Sequence, residues 1–141
     1  MTTNETTARR RAVLAVAGAT AAATLPWAVA VIAGADLEVT TAGVTMDVGL
    51  ALVLSGALTM SLAGWGLLVW LGRRTGDARR VWTGVALTVL VLSLSGPLMA
   101  DADGDAKVYL MLMHLAVGAV LIPGLRAALG RSGASRTSVT G

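Results

Sequence analysis

The chain has 141 residues, of which 55% are hydrophobic and only 13% charged, with a mean hydropathy of +0.75 and a formal net charge of +3. Soluble domains carry about 25% charged residues, so this composition excludes an ordinary water-soluble fold. The absence of cysteine excludes disulfides and the thiol chemistry of four-helix quinone-linked oxidoreductases.

The few charges leave four uninterrupted apolar runs, 12–35, 48–71, 81–100 and 108–125. At ~1.5 Å rise per residue each run is about 27–36 Å long as a helix, the thickness of the hydrocarbon core of a bilayer. Backbone polar groups at that depth are satisfied only in helices or closed barrels, and the runs lack the alternation of barrel strands. The expected fold is all-α, an integral membrane four-helix bundle of antiparallel hairpins occupying residues 12–129.

Residues 1–11 are rich in Thr and end in Arg9, Arg10 and Arg11, which reads as a disordered basic tail. The same arginines, followed by an apolar run with small-residue triplets at 28–30 and 33–35, also suit a secretion signal. Signal cores are ~7–15 residues, whereas this run is longer and crossed by Pro26-Trp27, so a retained first helix is expected. Its Ala15, Ala19 and Ala23 form a stripe of small residues, with Gly18 and Ala22 beside it, suited to close packing inside the bundle or against a second copy.

The loop after the first run carries Asp36, Glu38 and Asp47. The second helix has its own small stripe of Ser55, Thr59 and Ala63, with Gly56 and Gly64 adjacent. Arg73, Arg74, Arg79 and Arg80 fill the central loop. Trp70, Trp82 and Tyr109 fall at run ends, where interfacial anchoring explains them, while Trp27 and Trp65 lie deeper and fill space between small residues.

The third helix brings Ser93, Ser95 and Pro97, and the short loop 101–107 makes it an antiparallel neighbour of the fourth. In that loop Asp101, Asp103 and Asp105 copy the first ligand positions of a calcium loop. The sixth position is Ala106 and the twelfth is Leu112, so an EF-hand is excluded and only weak divalent binding is left to these aspartates. Residues 130–141, with Arg131 and Arg136, read as a disordered C-terminal tail.

All Lys and Arg residues except Lys107 lie before the first run, between the second and third, or after the fourth. The positive-inside rule then places both termini and the central loop in the cytoplasm. The pI of about 10.6 follows from these border arginines and does not indicate nucleic-acid binding.

His114 is the one ionisable residue inside a run, which makes it the default candidate for a site. Counting ~1.5 Å per residue from the outer border puts His114, Ser95, Ser55 and Trp27 within about 8–13 Å of it, one layer in the outer leaflet. One reading is a structural histidine satisfied by Ser93, Ser95 or the backbone before Pro97. The other is a ligand or proton site formed by His114, Ser93, Ser95, Ser55 and Trp27, suited to an apolar ligand such as a quinone or lipid tail. A bis-histidine haem needs a second imidazole. A Ser95–His114 dyad like that of rhomboid proteases lacks the six-helix frame and an oxyanion device. No run holds the carboxylate that small multidrug transporters use.

Ser93-Leu94-Ser95-Gly96-Pro97-Leu98, an acidic loop, Met113-His114-Leu115 and Val120-Leu121-Ile122-Pro123-Gly124-Leu125 follow one another in a recognisable order. In this the chain resembles an actinobacterial family of small four-helix membrane proteins that form a domain of unknown function, over about residues 10–126. The resemblance implies the four-helix plan and a bacterial plasma membrane, and carries no activity with it. Ten arginines against a single lysine suit a high-GC genome. The functional expectation is a non-catalytic structural, oligomeric or accessory subunit without cofactor, whose partners are the lipid bilayer and a second copy or larger membrane complex. The alternative is a small binding or transport protein for an apolar ligand around His114.

Overall fold

The computed structural model of the chain describes residues 3–129. In chain order the elements are α1 (Thr3–Ile32), β1 (Glu38–Thr41), β2 (Val44–Asp47), α2 (Leu50–Arg74), α3 (Ala78–Met99) and α4 (Gly104–Leu129). All four helices are long and apolar enough to cross a membrane. The α2–α3 turn is short: Arg73 and Arg74 occupy the last turn of α2, where the helix dipole favours cations, and the Thr75 N–H closes on the Leu71 carbonyl.

Two expectations need correction. The N-terminal segment read as a disordered tail is helical from Thr3 onward. No Gly or Pro interrupts it, and Glu5 sits in the first turn, where the dipole favours an acid. The C-terminal tail, 130–141, lies outside the described residues.

The first acidic loop is also more than a loop. β1 and β2 form an antiparallel hairpin, Glu38 opposite Asp47 and Thr41 opposite Val44. Its two-residue turn, Ala42-Gly43, has positive φ at both positions (52° and 79°), the handedness that matches strand twist. Thr40 then exchanges two backbone hydrogen bonds with Asp101, of 2.9 and 3.2 Å, so the hairpin is stitched to the α3–α4 loop. The β-branched residues Val39, Thr40, Thr41, Val44 and Thr45 carry the strand preference. Asp36, Glu38, Asp47, Asp101, Asp103 and Asp105 gather at this hairpin end of the molecule, and only Glu5 and Asp77 of the acidic residues lie toward the other. The described arginines gather at the opposite end, where the Arg11 guanidinium reaches the Ala127 carbonyl across 3.5 Å.

Packing is led by α1 on α4. The stripe on α1 is turned inward, with Ala15, Ala19 and Ala23 at 6%, 0% and 2% exposure. A Cβ built at Gly124 of α4 would stand 2.6 Å from that of Ala15, and one at Gly18 would stand 3.3 Å from Val120 Cγ1, so the two backbones approach through missing side chains. Of the two small-residue stripes, that of α1 is thus consumed internally, while Ser55, Thr59 and Ala63 of α2 are exposed.

One apolar cluster, with Ala12, Ala15, Leu68, Leu71, Leu121 and Leu125, lies toward the arginine end, and a second, with Ala23, Ala30, Leu37, Val53, Leu110 and Met113, toward the hairpin end. Trp82 belongs to the first of these. It is 1% exposed, and its indole donates to the Gly64 carbonyl at 2.9 Å, so it is a wedge between α3 and α2 rather than an interfacial anchor. Gly64 has no side chain to screen its carbonyl, and the tight α2–α3 turn brings the two into register. Trp70 does behave as an anchor: it is half exposed, with the Arg74 guanidinium 5.6 Å above its ring. Ser61 of α2 is fully buried and its hydroxyl has no hydrogen-bond partner.

Candidate functional site

The site is built by small residues on three helices. Gly118 of α4 admits Leu90 of α3, whose Cδ2 would be 2.7 Å from a Cβ at that position. Trp82 holds α3 against α2 further toward the arginine end. Between these contacts and Val48 at the hairpin end, α2, α3 and α4 flank an open-sided cleft of about 440 Å³. Leu52, Gly56, Ala57, Met60 and Leu67 line it from α2, Val85, Val89 and Ser93 from α3, and Leu110, Met113, His114 and Val117 from α4. The volume is open because Gly56, Ala57, Ala63 and Ala86 leave space that no facing side chain fills. A Cβ at Gly56 would meet nothing within 4 Å.

Among the described residues no charged side chain lines the cleft, and polar side chains reach it only from Trp82, Ser93 and His114. His114 is half-buried, and its Nδ1 lies 2.7 Å from the carbonyl oxygen of Leu110, one turn earlier on α4. A carbonyl can only accept, so Nδ1 carries the proton of this bond. The ring's Nε2 has no partner among the described residues. The Ser93 hydroxyl donates to Leu90 O at 2.8 Å.

The layer expected from the sequence divides. His114 and Ser93 face the same cleft. Ser55 and Ser95 are exposed, and their hydroxyls bond back to their own helices at Leu52 O (3.1 Å) and Leu92 O (2.6 Å). Trp27 packs in the hairpin-end core and donates to Val48 O at 3.0 Å, beside the cleft's roof rather than in its lining.

The expected bond from His114 to Ser93, Ser95 or the backbone before Pro97 is not formed. The Leu110 carbonyl, one turn back on the same helix, takes this bond instead and needs no second helix in register. Ser95 is exposed and bonded to Leu92 O while His114 is bonded to Leu110 O, so these two residues form no dyad. Among the described residues no group of three or more His, Asp or Glu side chains is placed to hold a metal ion. The backbone of Asp101, not its carboxylate, makes the bridge to Thr40, and Asp105 lies in the first turn of α4. Gly56, Met60, Trp82 and Met113 were not legible as site residues, because apolar residues acquire a role only once the helices are set side by side.

Neither a curated protein nor a solved structure matches this chain. Residues 3–131, which take in the whole resemblance carried by the α3 and α4 motifs, match a family described as a family of unknown function (DUF6069), and the chain belongs to that family.

Proposed function

We propose that the chain is a multi-pass protein of a bacterial plasma membrane that binds an apolar, lipid-like molecule in the cleft between α2, α3 and α4. The observation that carries this reading is the cleft itself, a concavity of about 440 Å³ with apolar walls and one accessible imidazole edge. Binding sites for small molecules have this size and this sparse polarity. The cleft opens beside Leu52, Met60, Val85 and Val89, all exposed, which gives a molecule in the membrane a way in.

The arginine end, with both termini, lies in the cytoplasm, and the acidic hairpin end lies outside, as the positive-inside rule requires. The many exposed Leu, Val and Met side chains on α2 and α3 then face acyl chains. For self-association the Ala15–Ala19–Ala23 stripe is already used by the α1–α4 contact, which leaves the exposed Ser55–Thr59–Ala63 stripe of α2 as its support. The extent of that contact also supports retention of α1 rather than its removal as a signal.

Native mass spectrometry of the protein released from detergent tests the reading. Wild type should retain an apolar adduct, and Gly56→Leu, which fills the cleft where a side chain meets nothing, should lose it without loss of thermal stability. An adduct that persists unchanged in Gly56→Leu places the ligand elsewhere.

A further inference from the structure

We infer that the molecule held in the cleft carries a hydroxyl at its polar end and donates that proton to Nε2 of His114; the inference rests on the cleft being a binding site. Three lining side chains own a proton able to make a hydrogen bond, and all three are already committed. Trp82 gives its indole proton to Gly64 O, Ser93 gives its hydroxyl proton to Leu90 O, and His114 gives its Nδ1 proton to Leu110 O. In a neutral imidazole with the proton fixed on Nδ1, Nε2 is a bare acceptor. With its proton turned to Leu90 O, the Ser93 oxygen likewise offers lone pairs. The cleft therefore presents acceptors and no donor.

This selects the chemistry of the ligand. A ketone, ester or quinone head has only lone pairs, and set against Nε2 it would leave two desolvated acceptors unpaired. A site whose polar group is complementary to a hydroxyl discriminates against the analogue that lacks it. A phosphate or ammonium head would be buried with no counter-charge, because no charged residue among those described lines the cleft. His114 and Ser93 both lie in the hairpin-side half of their helices, while the walls toward Trp82 offer Leu67, Val85 and Ile122. The hydroxyl therefore sits toward the hairpin end and a hydrocarbon tail runs toward Trp82. A prenyl alcohol and a prenylated hydroquinone both have this form.

The test is a titration of the purified protein, followed by native mass spectrometry, with two matched pairs of probes. One pair is geranylgeraniol and its aldehyde. The other is a geranylgeranylated hydroquinone and its quinone, kept anaerobic. Each hydroxyl compound should bind wild type roughly five- to tenfold more tightly than its carbonyl partner, the range of one net hydrogen bond. The tighter of the two hydroxyl compounds identifies the head group. In His114→Phe both members of a pair should still bind, with the preference reduced below about twofold.

Equal affinity within both pairs, or a preference that survives in His114→Phe, overturns the hydroxyl assignment and leaves the cleft as a site. Failure of all four probes to bind wild type overturns the cleft reading itself. Should His114→Phe not fold, the wild-type comparison of each pair decides alone.

Discussion

The indole N–H of Trp82 donates to the carbonyl oxygen of Gly64 across 2.9 Å, and this contact forms the floor of the cleft between α2 and α3. Trp82→Ala should lower stability by about 3–5 kcal/mol, as removal of a buried aromatic does. Trp82→Phe keeps the wedge and loses only the bond, so it should cost about 0.5–1.5 kcal/mol. Thermal unfolding in detergent ranks the pair. A Trp82→Ala protein as stable as wild type would mean that the ring does not hold the helices together.

The two closest glycine contacts should respond differently to the same substitution. A methyl at Gly124 meets the Cβ of Ala15 at 2.6 Å and its Cα at 3.4 Å, so the α1 backbone has to move. At Gly118 the obstacle is the tip of Leu90, which can rotate away. Gly124→Ala should therefore destabilise by about 1–3 kcal/mol. Gly118→Ala should cost less, with a helix-propensity gain of up to ~1 kcal/mol offsetting the clash. Equal losses, or the reverse order in the same unfolding assay, would contradict the packing described for α1 and α4.

Ser61 gives a prediction of opposite sign. Its hydroxyl is fully buried without a partner, a state that costs about 1–3 kcal/mol in desolvation. Ser61→Ala should leave stability unchanged or raise it. A loss of more than about 1 kcal/mol would show that the hydroxyl has a bonded role.

Much of the fold was legible because the bilayer simplifies the code. Charge-free runs of the right length could only be helices, and the small residues of α1 announced a close contact. Which helix they would contact was not legible, since Ala15 suits any glycine-bearing neighbour until the chain is arranged in space. The hairpin was obscured by its brevity, four residues a side, and by the charges that mark it as an external loop. At the site, His114 stood out as the lone ionisable residue in a span, and Ser93 came with it. The sequence could not tell Ser93 from Ser95, because which of two serines two residues apart faces α4 depends on the rotation of α3 about its own axis.

Membrane orientation can be read directly, because the chain has no native cysteine. A Cβ at Gly76 or Gly104 meets nothing within 4 Å, so a single cysteine is tolerated at either position. In intact cells a membrane-impermeant maleimide should label Gly104→Cys and spare Gly76→Cys. The inverse pattern would reverse the proposed topology.

The central claim is that the cleft takes up an apolar molecule from the membrane, and site-resolved photolabelling tests it most directly. A diazirine-bearing prenyl alcohol incorporated into membranes containing the protein should crosslink first to Met113, Val117 and Ser93 inside the cleft, and Gly56→Leu should abolish that labelling. Labelling spread over outward-facing residues such as Leu87 and Leu92, and unchanged by Gly56→Leu, would show that the probe touches the protein only as bulk lipid does.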